Sequence, residues 1–234
     1  AQWASAEAAF VYCLSPVVAR DYRALEERLG FTPSDTRTVG SSIDLDQFRS
    51  LPESEKKHDV VFLGRLHELK GVFDLPEVWA QVKTARPAAK LKVIGEGPHR
   101  TAVMDRFAAR NLMDGVEFTG GIGEEDKNRL LAEARLGLSL SSEEGWGLAV
   151  NEYLASELPV VAYDLPVFQE VFPDVLHSVS LGDKTAASRA ILELLADPAA
   201  CEAMGRQGRE LAQRYDYRAM AREELRHLEA LGKS

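Results

Sequence analysis

Short apolar runs recur along this chain at helix-length intervals, and that alternation restricts its fold more than any other feature. The runs occupy 59–63, 91–94, 116–118, 136–140, 159–162 and 177–180, and amphipathic segments lie between them at about 74–86, 99–111, 124–134, 147–156 and 184–197. Runs with little internal alternation are strands buried on both faces, which requires a parallel sheet covered by helices on each side. The expected fold class is therefore α/β, a doubly wound parallel sheet. In such a sheet ligands bind beyond the carboxyl ends of the strands. Gly64-Arg65, the turn at 95–97, Gly120-Gly121 and the bend at 141–147 all fall on that edge.

Residues 1–50 read as a separate β-α-β unit, with Ser15 as N-cap, Pro16 at the first helical position and Gly30 as the stop. The polar stretch 50–57 reads as a linker, placing a boundary near residue 55. The expected organisation is a remnant of a preceding domain at 1–55, a ligand-binding α/β domain at 56–210 and a docking helix at 211–234. A first residue of Ala1 and a strand-like 9–14 suggest a piece of a longer protein.

The balance of 28 basic against 37 acidic residues gives a net charge of -9, and no stretch concentrates Lys and Arg, so nucleic acid is excluded as a partner. Cys13 and Cys201 are far apart and in no metal-like spacing, as expected of thiols in a reducing compartment; the reading places the chain in the cytoplasm. No apolar run approaches the roughly 20 residues of a membrane span. Arginines at 206, 209, 214, 218, 222 and 226 interleave with Glu210, Asp216, Glu223, Glu224 and Glu229. They read as a solvated helix face, with a peripheral membrane contact as the alternative. The five histidines form no ligand pattern, so no metal is expected.

The chemistry concentrates at 141–152, where a strand end, a glycine-rich bend and a helix start are framed by Glu144 and Glu152. Gly145 and Gly147 let backbone amides approach an anion, and the new helix turns its positive end to the same point. If 147–156 is one helix, the carboxylates stand about 12 Å apart at ~1.5 Å rise per residue. Glycosidase pairs need about 5–9.5 Å, so that reading is disfavoured. The spacing suits one carboxylate on sugar hydroxyls and the other on a ribose, with phosphates between. Arg65 and Lys70 follow a strand, each beside a glycine, and paired cations suit a diphosphate. Each feature has an ordinary explanation when taken alone, since loop charges are often solvated and glutamates answer a helix dipole.

Taken together, Gly64-Arg65-Leu66 with Lys70-Gly71, the stretches 93–98, 116–120 and 158–161, and Ser141, Glu144-Gly145-Trp146-Gly147-Leu148 and Glu152 resemble one family. They look like the donor-binding domain of retaining GT-B glycosyltransferases, family four (glycosyl transferases group 1), over about 58–231. Residues 1–50 are similar to the closing part of the partner domain. The resemblance implies transfer of a hexose from a nucleoside diphosphate sugar to an acceptor hydroxyl of a glycan, lipid or small molecule. Configuration is kept, no metal or other cofactor is needed, and an N-terminal acceptor-side domain completes the enzyme. It also implies roles: Arg65 and Lys70 as the diphosphate clamp and Glu144 on the donor sugar, with Glu152 on the ribose. Gly145, Trp146, Gly147 and Leu148 would offer backbone amides to sugar and phosphate, Gly64 would be a further donor-binding residue, and Glu96, Gly97 and Pro98, with Gly120 and Gly121, would form loops along the nucleoside.

Three departures stand out. Glu157 replaces a helix-ending glycine, Ser41-Ser42 replaces an Asn-Gly pair, and Trp146 replaces phenylalanine. Two other readings are a nucleotide-sugar epimerase of the same architecture and a non-catalytic nucleotide-sugar-binding module.

Overall fold

A computed structural model describes residues 10–231. The N-terminal unit is β1 (Val11–Cys13), α1 (Pro16–Arg28) and β2 (Thr36–Thr38), the strands parallel with Val11 opposite Thr36 and Cys13 opposite Thr38. Its helix starts as the sequence dictates: the Ser15 hydroxyl accepts from the Val18 amide at 3.2 Å, with Pro16 in the first turn. The chain then turns at Gly30, φ 79°.

The main sheet has six strands: β3 (His58–Leu63), β4 (Leu91–Ile94), β5 (Val116–Gly120), β6 (Ala134–Ser139), β7 (Val160–Tyr163) and β8 (His177–Val179). All pair in parallel, in the order β5-β4-β3-β6-β7-β8. The helices α2 (Leu75–Ala85), α3 (Arg100–Ala108), α4 (Glu124–Ala132), α5 (Leu148–Ala155), α6 (Pro166–Val171) and α7 (Lys184–Ala196) connect or flank them. Side-chain alternation divides the core in two layers: Val60 and Phe62 point into one with Trp79, Phe107, Leu136 and Leu138. Val61 points into the other with Tyr153, Val160 and Phe168. The expected doubly wound α/β class holds. Chain order runs outward from β3 to β5 and then jumps back to β6 beside β3, so the strand order reverses between β3 and β6. That reversal is the topological switch point, beyond whose strand carboxyl ends open α/β sheets take their ligands.

Helix α6 leaves no periodic trace in the sequence, because six residues opening on Pro166 are too few to show a period. Helix α5 ends through Glu157 at φ 57°, so the left-handed turn is kept without the glycine that usually provides it, at a steric cost carried locally. Two further helices, α8 (Pro198–Ala212) and α9 (Tyr217–Leu231), close the chain. Among the described residues no helix is long and apolar enough to cross a membrane.

Candidate functional site

The edge at the β3/β6 switch point is built from backbone first. After β3 the Gly64 amide donates to Ile94 O at 3.0 Å and the Leu66 amide to Glu96 O at 2.8 Å, while the Gly95 amide donates to Gly120 O at 3.1 Å. These bonds stitch the loops that follow β3 and β4 to each other and to the end of β5 along one edge. The Glu96 side chain lies over Gly120 and Gly121, and Arg100 Nε stands 3.5 Å from its carboxylate. Gly97 packs against the Leu66 backbone, and Pro98 is exposed beside it. Glu96, Gly97, Pro98, Gly120 and Gly121, which the resemblance sets along a nucleoside, therefore form one surface.

Arg65 is exposed, and among the described residues no hydrogen bond or ion pair holds its guanidinium. A short 3-10 turn, Glu68–Lys70, then carries the chain to Gly71 at φ 66°. A Cβ there would lie 1.9 Å from Leu140 O, so only glycine lets this turn press against the end of β6. The Ser142 amide donates to Leu69 O at 2.9 Å and completes the junction. As a result Lys70 Nζ reaches Glu144 Oε1 at 2.5 Å, and the Ser141 hydroxyl donates to the same oxygen at 2.8 Å. The cation and the first carboxylate named from sequence face each other across the bend.

Gly147 caps α5 with φ 106°, and its missing side chain makes room for the Phe168 ring, 2.6 Å from where a Cβ would stand. No side chain caps this helix, so its first amides are open to a ligand. Gly145 and Leu148 are exposed on either side of that opening. The Trp146 side chain is buried: its indole packs edge-on to Phe172 and Tyr215, with centroids at 5.3 and 4.9 Å. Its side chain is core, and only its backbone belongs to the bend.

Glu152, further along α5, is 8% exposed, and Lys127 Nζ on α4 stands 2.5 Å from its Oε1. Burial pushes the Glu152 carboxyl above its ordinary range, with Lys127 opposing. Burial pulls Lys127 down, but Glu124 and Glu152 outweigh it and raise the ammonium. Each site glutamate thus has a lysine of its own. Sequence reasoning missed Lys127, although a lysine early in a helix, where the dipole disfavours a cation, is a signal. It also missed Tyr153, whose hydroxyl accepts from the Leu63 amide at 2.5 Å, just ahead of Gly64-Arg65. Nothing in the sequence foretells that bond.

A cavity of about 680 Å³ lies at the opposite ends of the strands, beside the starts of β6 and β7, lined in part by Lys56, Arg135, Glu157 and Cys201. Its cations are already engaged, Arg135 by Glu53 and Asp59 and Lys56 by Ala132 O, so the convergent polar groups lie at the switch point instead. Among the described residues no group of three or more His, Cys, Asp or Glu is placed to hold a metal ion.

The model of the family described as glycosyl transferases group 1 matches residues 44–211. A phosphatidyl-myo-inositol mannosyltransferase of Propionibacterium freudenreichii is 30% identical over 164 residues, 68% of this chain and 40% of the relative. An N-acetyl-alpha-D-glucosaminyl L-malate synthase of Bacillus anthracis is 27% identical over 81% of this chain and 47% of its own length. The crystal structure of Anabaena HepE with UDP and glucose superposes with a TM-score of 0.85 at 16% identity, over 97% of this chain and 65% of that one. The chain spans about half the length of the curated relatives it matches. With the matched segment running from the approach to β3 through α8, this chain belongs to the glycosyl transferases group 1 family.

Proposed function

We propose that this chain is the donor-binding part of a cytoplasmic glycosyltransferase that moves a hexose from a nucleoside diphosphate sugar to an acceptor hydroxyl with retention of configuration. The observation that carries the reading is Lys70 set 2.5 Å from Glu144 at the bend before the uncapped start of α5, with Arg65 on the same edge and, among the described residues, held by no hydrogen bond or ion pair. A diphosphate at that helix start would compete for Lys70, and Glu144, relieved of it, could accept from sugar hydroxyls. Charge on the departing diphosphate grows as its bond to carbon breaks. Fixed cations and amide dipoles therefore stabilise the transition state more than the ground state, without a metal or other cofactor. Glu152 holds the ribose.

The relatives fit this class and leave the acceptor open, since one is a phosphatidyl-myo-inositol mannosyltransferase and another an N-acetyl-alpha-D-glucosaminyl L-malate synthase. The Anabaena neighbour was solved with UDP and glucose bound. The organisation that follows is 1–55 as the end of an acceptor-side domain, 56–210 as the donor domain and 211–234 as a docking helix. Calorimetry with UDP, GDP and ADP tests the reading: one should bind at sub-millimolar concentration, and Arg65→Ala with Lys70→Ala should weaken it at least about tenfold, the scale of one charge-assisted hydrogen bond. Absence of binding by all three at millimolar concentration overturns it. Full affinity in the double variant would instead favour a module that binds without the clamp. Sugar epimerised in the absence of any acceptor would favour the isomerase alternative.

A further inference from the structure

The donor-site reading gives no part to Lys127, the buried cation paired with Glu152. Lys127 and Glu152 both have side chains only 10% exposed, and their contact is 2.5 Å. Lys127 also holds Glu124, itself 75% exposed, at 2.5 Å. Two charges withdrawn from water lose hydration that their attraction repays only in part, so a pair like this is a poor device for stability. It is a good device for fixing a carboxylate. Lys127 binds Oε1, and among the described residues no hydrogen bond or ion pair engages Oε2.

We propose that Lys127 is the positioning residue for ribose recognition: it holds Glu152 ionised and oriented, with one carboxylate oxygen left for the 2′ and 3′ hydroxyls, and so sets a preference for ribonucleotides over 2′-deoxyribonucleotides. The inference rests on the donor-site reading. Removal of the ammonium leaves a carboxylate in a site whose burial favours the protonated acid. A protonated, unrestrained acid is a poorer acceptor for a hydroxyl that a nucleotide without the 2′ oxygen does not present.

The test uses this chain with UDP and 2′-deoxy-UDP, and the matching GDP and ADP pairs, by calorimetry. Wild type should favour the ribo form about tenfold or more, the scale of a hydrogen bond to a charged group. Lys127→Met should weaken the ribo form by a similar factor while the deoxy form changes by less than about threefold, so the ratio falls toward one; Lys127→Arg should restore part of it. Should Lys127→Met fail to fold, Lys127→Gln gives the same comparison. A ratio unchanged in the variant, or equal weakening of both forms, overturns the inference while the donor-site reading stands. Binding by wild type without ribo preference also overturns it. No nucleotide binding at all by wild type overturns the donor-site reading and this inference with it.

Discussion

At the scale of single residues, the site depends on Gly71. Its φ of 66° is in the left-handed region, which costs an alanine about 1–2 kcal/mol. The Leu140 carbonyl 1.9 Å from the Cβ position adds a clash with backbone that cannot move aside like a side chain. Gly71→Ala should therefore lower stability by about 3 kcal/mol or more in urea unfolding and also weaken nucleotide binding, since Lys70 shifts away from Glu144. Gly30 has φ 79° and open space around it, so Gly30→Ala should cost only the conformational part, about 1–2 kcal/mol. Equal costs at the two positions would mean that close approach to β6 does not fix the Lys70 turn. Lys70 and Glu144 were both legible in the sequence through their motifs. Their contact was not, because 74 positions separate them and only strand order brings β3 beside β6. Lys127 was less legible still, its meaning resting on a carboxylate one helix away.

At the scale of elements, helix α5 reaches into the sheet through Tyr153. Strands β3 and β6 pair as far as Phe62 opposite Leu138; beyond that point the Tyr153 hydroxyl accepts from Leu63 N at 2.5 Å and donates to Leu138 O at 3.3 Å. It takes the place of the next ladder bond. The ring lies on Gly137, where a Cβ would come within 2.5 Å of it, so strand and helix residues match as a pair. Burial raises the phenol well above its ordinary value, which keeps the hydroxyl neutral and able both to donate and to accept. Tyr153→Phe leaves the Leu63 amide without a partner, and denaturant unfolding should show a loss of about 1–3 kcal/mol. A loss under about 0.5 kcal/mol would mean that water or a strand shift replaces the hydroxyl. The long periodic segments were legible as helices and the unbroken apolar runs as strands, because burial on one or both faces writes itself into spacing. Helix α6 was too short to leave such a trace. The end of α5 is a different case: Glu157 announced an irregular turn, but only coordinates distinguish a strained left-handed residue from a rerouted chain.

At the scale of the whole molecule, the stretch between the small unit and the main sheet is held by the chain's last helices. The Ile43 amide donates to Tyr215 O at 3.0 Å and the Tyr217 amide to Ile43 O at 2.9 Å, a parallel bridge that joins residues far apart in sequence. Ile43 and Phe48 are each 7% exposed. Arg209 on α8 donates to Phe48 O at 3.1 Å, to Leu45 O at 3.4 Å and to Ala155 O, so one guanidinium ties the connecting stretch to the end of the helix that carries Glu152. Methionine at 209 keeps most of the aliphatic length but removes every donor. The expected loss is about 2–3 kcal/mol, since hydrogen bonds from charged donors contribute about 1.5–3 kcal/mol and water can reach part of this half-buried site. The more specific outcome is local: hydrogen exchange of the Ile43 and Tyr217 amides should quicken more than that of amides inside β3, because the bridge opens without unfolding the sheet. If both regions quicken together, the connection is part of a single cooperative unit, and burial of Ile43 and Phe48, rather than the Arg209 bonds, decides its position.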